Sequence, residues 1–132
     1  MDRQRILIDT SILIDHLRRE HKERSVYFRA AQQFDCLISA IAEFEFRVGI
    51  TATNRPFVEA LLDLTPILPF DSACVQVAAG IYRDLKAVNQ LIALPDLFIA
   101  ATAVAHSLPL LTLNFSHFER VNELTLLNTA SL

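Results

Sequence analysis

Arg5-Ile6-Leu7-Ile8-Asp9-Thr10-Ser11-Ile12-Leu13-Ile14-Asp15 is the stretch from which the rest of the chain can be read. Ile6, Leu7 and Ile8 are apolar in a row rather than alternating, the pattern of a short strand covered on both faces in a parallel sheet. Asp9 closes that run. The hydroxyls of Thr10 and Ser11 then suit the N-cap of a helix carried on by Ile12, Leu13, Asp15, His16 and Arg19, with apolar and polar sides.

Working outward, the same alternation recurs. After a charged break at Arg18 to Arg24, residues 25–34 predict a second helix. Residues 36–38 form an apolar strand ended by Ser39, and residues 40–48 a helix stopped by Gly49. Asn54 caps a helix with Pro56 in its first turn and Phe57, Ala60, Leu61 and Leu64 on one face. A strand at 65–70, edged by Pro66 and Pro69, leads to a long helix capped by Asp71, with Val75, Ala78, Ala79, Tyr82 and Leu85 at helical spacing. Pro95 and Asp96 open another helix running to about Ser107, followed by strands at 110–112 and 125–127. Strands alternating with helices predict an α/β fold: a mostly parallel sheet, right-handed crossovers and helices on both faces.

Composition narrows the function classes. At 132 residues with 52% hydrophobic and 20% charged residues, the chain is expected to fold as one domain over 1–132 with a single core. Cys36 and Cys74 sit in no CxxC or Cys/His cluster, which disfavours zinc, redox and iron–sulfur sites and fits a reducing compartment. The start, Met1-Asp2-Arg3-Gln4-Arg5, reads as no signal peptide. The most apolar stretch, 91–111, is broken by Pro95, Asp96, His106 and Pro109, so it predicts buried core and no membrane association. With only Gly49 and Gly80, the chain holds no glycine-rich phosphate cradle and no GxSxG serine elbow. The net charge of −3 argues against bulk attraction to nucleic acid, so such contact needs a local basic patch; Arg18, Arg19, Lys22, Arg24 and Arg29 form one candidate run.

In an open parallel sheet the functional crevice lies outside the carboxyl ends of the strands. Asp9 ends the first strand, Glu45 lies on the helix after the second, and Asp96 opens the helix before the fourth. Gathering carboxylates is unfavourable unless a divalent cation reverses the sign. Mg²⁺ and Mn²⁺ take hard oxygen ligands, acidify water and stabilise charge on a phosphodiester. With no activated serine or cysteine, water is the expected nucleophile. Asp9 and Asp96 have alternative readings as helix-capping and helix-dipole acids. Glu43 and Glu45 point to nearly opposite sides at about 100° per residue; Glu43 pairs with Arg47 at i, i+4, which leaves Glu45 facing the body of the protein.

These residues also resemble those of PIN-domain ribonucleases, specifically VapC-like toxins of bacterial toxin–antitoxin pairs, over nearly the whole chain. Leu7 to Asp15 is similar to the family's first motif, whose first Asp binds metal. Ser39, Glu45 and Gly49 match S-x5-E-x3-G. Pro69-Phe70-Asp71 and then Asp96-Leu97-Phe98-Ile99-Ala100-Ala101 resemble the third region, whose Asp is the second metal-binding acid. Residues 112–121 are similar to the T-x-N-x-x-[D/H]-F ending, where many members carry a fourth acid and this chain has Asn114 and His117.

The resemblance implies a three-layer α/β/α sandwich with four to five mostly parallel strands. It also implies a Mg²⁺-dependent endoribonuclease, with Mn²⁺ an alternative metal. Asp9 and Asp96 would bind metal, Glu45 would bind it through water or orient the attacking water, and Ser11, Thr112, Asn114 and His117 would support them. An RNA substrate, a VapB-like antitoxin, a homodimer and a cytoplasmic location follow from the same likeness. The apolar contacts have candidates in Phe28, Phe34, Phe44, Phe46 and Phe57, although core packing is the stronger expectation for most of them. Two rivals stand beside this reading. A degenerate PIN domain would bind RNA or protein without cutting, and a receiver-like signalling module would use Asp71 as a phosphoacceptor.

Overall fold

The computed structural model describes residues 3–132. Five strands, β1 (Arg5–Ile8), β2 (Asp35–Ser39), β3 (Ile67–Leu68), β4 (Leu110–Leu111) and β5 (Leu126–Leu127), form one sheet in the order β3-β2-β1-β4-β5. Every pairing is parallel. Ile6, Leu7 and Ile8 are fully buried, as the unbroken apolar run of the central strand requires.

The helices are α1 (Thr10–Arg18), α2 (Val26–Gln33), α3 (Ala40–Val48), α4 (Arg55–Leu64), α5 (Ser72–Ala87), α6 (Leu94–Ala105) and a single turn, α7 (Phe115–Phe118). The chain steps outward from β1 to β2 to β3, then crosses back over the sheet to β4 on the other side of β1. With right-handed crossovers, that reversal puts α1–α4 on one face and α5 and α6 on the other. In agreement, α1 packs on α2 and α3, and α5 packs on α6. The result is the three-layer sandwich. The reversal also makes the carboxyl ends of β1 and β4 a topological switch point, where loops diverge and leave a crevice.

The core joins both layers to the sheet through Ile12, Leu13, Ile38, Val58, Ile99, Leu110, Leu111 and Phe118, all fully buried. Among the aromatic candidates for partner contacts, Phe46 is buried and Phe34 and Phe57 pack against the core, whereas Phe28 and Phe44 are exposed. His16 is also a core residue. Its Nδ1 lies 2.6 Å from Ser25 Oγ, and Ser25 Oγ already accepts the Phe28 N–H at 3.0 Å. Burial, then Lys22, lowers the pKa of His16 against a raising effect of Asp15, which favours the neutral ring.

Several local devices differ from the sequence expectation. The N-cap of α1 is Asp9 itself rather than either hydroxyl, accepting from the Thr10 N–H. Asn54 gives α4 no side-chain cap; its Oδ1 accepts from Thr51 N–H at 2.7 Å and its Nδ2 donates to Gly49 O at 3.1 Å, which pins the preceding turn. Gly49 does end α3, but at φ −84°, a conformation open to any residue. Left-handed backbone appears instead at Asn89 (φ 55°) and Ser107 (φ 54°), after α5 and α6. Both close Schellman motifs: Gln90 N donates to Leu85 O and Leu108 N to Ala103 O, with Asn89 N to Lys86 O and Ser107 N to Val104 O inside them.

Asparagine tolerates that backbone and serine does so poorly. Ser107→Gly is therefore expected to stabilise the protein by about 0.5–1 kcal/mol, read as a rise in melting temperature, while Asn89→Gly gives a smaller gain.

Candidate active site

Asp9 leaves β1 where the β1–β4 ladder ends, its N–H donating to Leu111 O at 2.9 Å. The backbone of the acid is thereby fixed to the neighbouring strand. The residue is 3% exposed, so its carboxylate has to be satisfied largely from within. Oδ1 accepts from Thr10 N–H at 2.8 Å, and Oδ2 accepts from Ser11 Oγ and Thr112 Oγ1, each at 2.8 Å.

The two hydroxyls serve a second purpose. Ser11 Oγ accepts from Leu113 N–H at 3.1 Å and Thr112 Oγ1 from Asn114 N–H at 2.9 Å. The loop after β4 is thus tied to Asp9 through both side chains. Thr10 joins the next acid: its backbone N–H serves Asp9, and its Oγ1 donates to Glu45 Oε1 at 2.7 Å. Sequence reading passed over Thr10 as a site residue. The available signal was its position between two residues assigned to the site, on a helix whose first turn faces α3.

Glu45 is carried on α3, whose start is set by Ser39 Oγ accepting from Ala42 N–H at 3.0 Å. Its neighbour Glu43 turns away and takes Arg47 Nε at 2.9 Å, as the helical spacing requires. Asp96 lies in the first turn of α6, which has no side-chain N-cap. Its Oδ2 is 3.2 Å from His117 Nδ1. Burial, then the Asp9 carboxylate, push the Asp96 carboxyl above the usual range, and His117 offsets part of that rise.

Asp9, Ser11, Glu45, Asp96 and Asn114 all line one open cavity of about 850 Å³, together with Thr10, Ile14, Asp15, Arg18, Arg19 and Leu113. Thr112 is buried beneath Asp9. His117 stands in an adjoining cavity and reaches the site only through Asp96. Asp71 caps α5 through Cys74 N–H at 3.1 Å, following the edge strand β3, with β2 between it and β1. That distance across the sheet removes the receiver-like arrangement, in which the acceptor must share the pocket of the first-strand acid.

The donor set suits a hard divalent cation. All three acids offer oxygen, and three hydrogen bonds to the Asp9 carboxylate leave Oδ1 a free lone pair for one metal bond. The mutual repulsion felt by Asp96 is the kind that such a cation relieves. Among the described residues no three His, Cys, Asp or Glu side chains form a ready-made ligand cluster. Mg²⁺ ordinarily keeps several waters and one or two carboxylates, so a dedicated cage is not required.

Comparison with known proteins places these features in a family. A profile for the PIN domain matches residues 6–124. The chain is 34% identical to Ribonuclease VapC1 of Rickettsia felis, covering 96% of this chain and 97% of that protein. It is 31% identical to Toxin FitB of Neisseria gonorrhoeae, covering 86% and 90%. The crystal structure of FitAcB from Neisseria gonorrhoeae matches with a TM-score of 0.77 at 27% identity, over 96% of this chain and 99% of that one.

The strain at Asp96 has a measurable sign. Because its folded pKa lies above the unfolded value, the charged form costs stability, and that penalty disappears as pH falls through the folded value. Metal-free Asp96→Asn should therefore melt about 2 °C above the parent protein at pH 7. The difference should close as the pH is lowered toward the ordinary carboxylate range, which thermal melts across pH will read.

Proposed function

The chain belongs to the PIN-domain family, and from that premise we propose that it is a metal-dependent endoribonuclease, the toxin of a toxin–antitoxin pair. The observation that carries this reading is the convergence of Asp9, Glu45 and Asp96 on one cavity at the carboxyl edge of β1 and β4. The names of the relatives, a ribonuclease and a toxin, support it.

Asp9 and Asp96 are the residues that would hold the cation. When bound, the metal supplies Lewis acidity toward water and toward the charge that develops on the phosphodiester. The protein's own part is positional. Ser11 and Thr112 hold Asp9 Oδ2, Thr10 holds Glu45 Oε1, and Glu45 Oε2 remains to orient water and take up its proton. Asn114 offers an amide on the same wall, and His117 holds Asp96 from the far side. Hydrolysis then forms one bond from the water oxygen to phosphorus and breaks one P–O bond; the leaving oxygen takes a proton from solvent, so one product carries a phosphate and the other a hydroxyl.

Magnesium is the favoured metal on donor type, with manganese the alternative. A VapB-like antitoxin and a second copy of this chain are the proposed protein partners. The exposed rings of Phe28 and Phe44 are available for such contacts. No helix among the described residues is long and apolar enough to cross a membrane. Cytoplasmic action fits the RNA substrate and two free cysteines, one of them, Cys36, with a thiol pushed up to about 11, mainly by burial.

Incubation of purified protein with total RNA in Mg²⁺, Mn²⁺ or EDTA tests the reading. Cleavage is expected with metal and absent with EDTA, and Asp9→Asn should lose at least about 100-fold in rate while remaining folded. If folded protein freed of antitoxin cuts nothing in either metal, the degenerate, non-cutting PIN domain is the better account. Thr112→Val, which removes one hydrogen bond to Asp9 Oδ2 without removing a carboxylate, should slow cleavage by about 10–100-fold.

A further inference from the structure

The cavity that holds the acids is lined by four carboxylates, Asp9, Asp15, Glu45 and Asp96, and by two guanidiniums, Arg18 and Arg19. A polyanion approaching it meets repulsion unless some cation is free to receive it. Arg19 is engaged: its Nε lies 3.1 Å from Asp15 Oδ1, and Asp15 Oδ2 in turn accepts the Val26 N–H at 3.2 Å. Arg18, at the last residue of α1, has no carboxylate within ion-pair distance among the described residues.

Asp96 also lines a second cavity, of about 390 Å³, with Ser116, His117 and Arg120 on its wall. Arg120 likewise has no ion-pair partner among the described residues; it reaches only the Leu91 carbonyl, at 3.5 Å, the limit of a hydrogen bond. Glu119 lines the same cavity without pairing with it. The two cavities meet at Asp96, so the acid cluster has an uncommitted guanidinium on each side.

We propose that single-stranded RNA crosses Asp96 from one cavity to the other, with Arg18 and Arg120 each holding a phosphate that flanks the scissile one. The proposal deepens the nuclease reading and rests on it. A guanidinium binds phosphate through two parallel hydrogen bonds, which fixes the strand's register as well as supplying charge. Two such anchors, one on each side, would draw the intervening phosphodiester over Asp9 and Asp96. They also answer the difficulty posed by an overall negative chain, because attraction is needed only along this track.

The test is binding of a fluorescein-labelled 12-nucleotide oligouridine by anisotropy, over a range of NaCl, to Asp9→Asn protein and to Arg18→Gln and Arg120→Gln made in that background. Each arginine variant is expected to weaken binding about fivefold at 0.1 M salt and to reduce the slope of log affinity against log salt by about 0.7, the value for one phosphate contact on a single strand. Arg18→Lys should restore the slope. Arg83→Gln, on α5 and lining neither cavity, should bind as the background protein does. Unchanged affinity and slope in either folded arginine variant overturns the proposal, as does failure of the Asp9→Asn protein to bind the RNA at all.

Cleavage of total RNA separates this outcome from failure of the nuclease reading. With Asp9 intact, Arg18→Gln should raise KM and leave kcat unchanged. Cutting that persists with unaltered KM overturns the phosphate track alone. Binding losses in a protein that cuts nothing leave the track standing and overturn the nuclease.

Discussion

Like charges have to be brought together at the end of β1, and the rest of the site depends on how that repulsion is contained. Asp9 is buried and would be intolerable without partners. Its two oxygens accept three hydrogen bonds, from a helix N-terminus and two hydroxyls on different elements. The helix terminus adds a favourable dipole. What reads as a capping residue and what reads as a metal ligand are therefore one residue with one set of contacts. The cap makes an ionised carboxylate sustainable at the place where a cation would need it.

Asp96 is handled differently. It has a single polar partner, the His117 ring, and the Asp9 charge nearby opposes its ionisation. An imidazole supports this carboxylate instead of adding to the repulsion. One acid is held rigidly from below and the other more loosely from the side. The two hydroxyls that hold Asp9 also pin the loop bearing Asn114, so the site's far wall is positioned by the same atoms as its centre.

Much of this was legible in the sequence because the controlling signals are local or periodic. The run Ile6-Leu7-Ile8 announced a doubly covered strand, and all five strands proved parallel. Helical rotation alone separated Glu45 from Glu43, and the Glu43–Arg47 pair is present. Other features had no local signature. Asp9 displaced two better-known capping hydroxyls because each is engaged elsewhere, Ser11 with the Asp9 carboxylate and Thr10 with Glu45. Asn54 was diverted to the Thr51 turn. The positive φ at Ser107 runs against residue preference and accompanies the hydrogen bonds that close the end of α6. Thr10 was missed because its link to Glu45 spans 35 residues of sequence, a contact that only the packing of α1 on α3 creates.

The outermost strands of the sheet, β3 and β5, are only two residues long, and Pro66 and Pro69 bracket β3. A border so short exposes few unpaired amides, and proline offers none. A foreign strand has almost nothing to zip onto at either margin. Extension of its sheet is therefore a poor route to assembly, and side-chain contacts are the better one. The same property guards it against amyloid-like stacking.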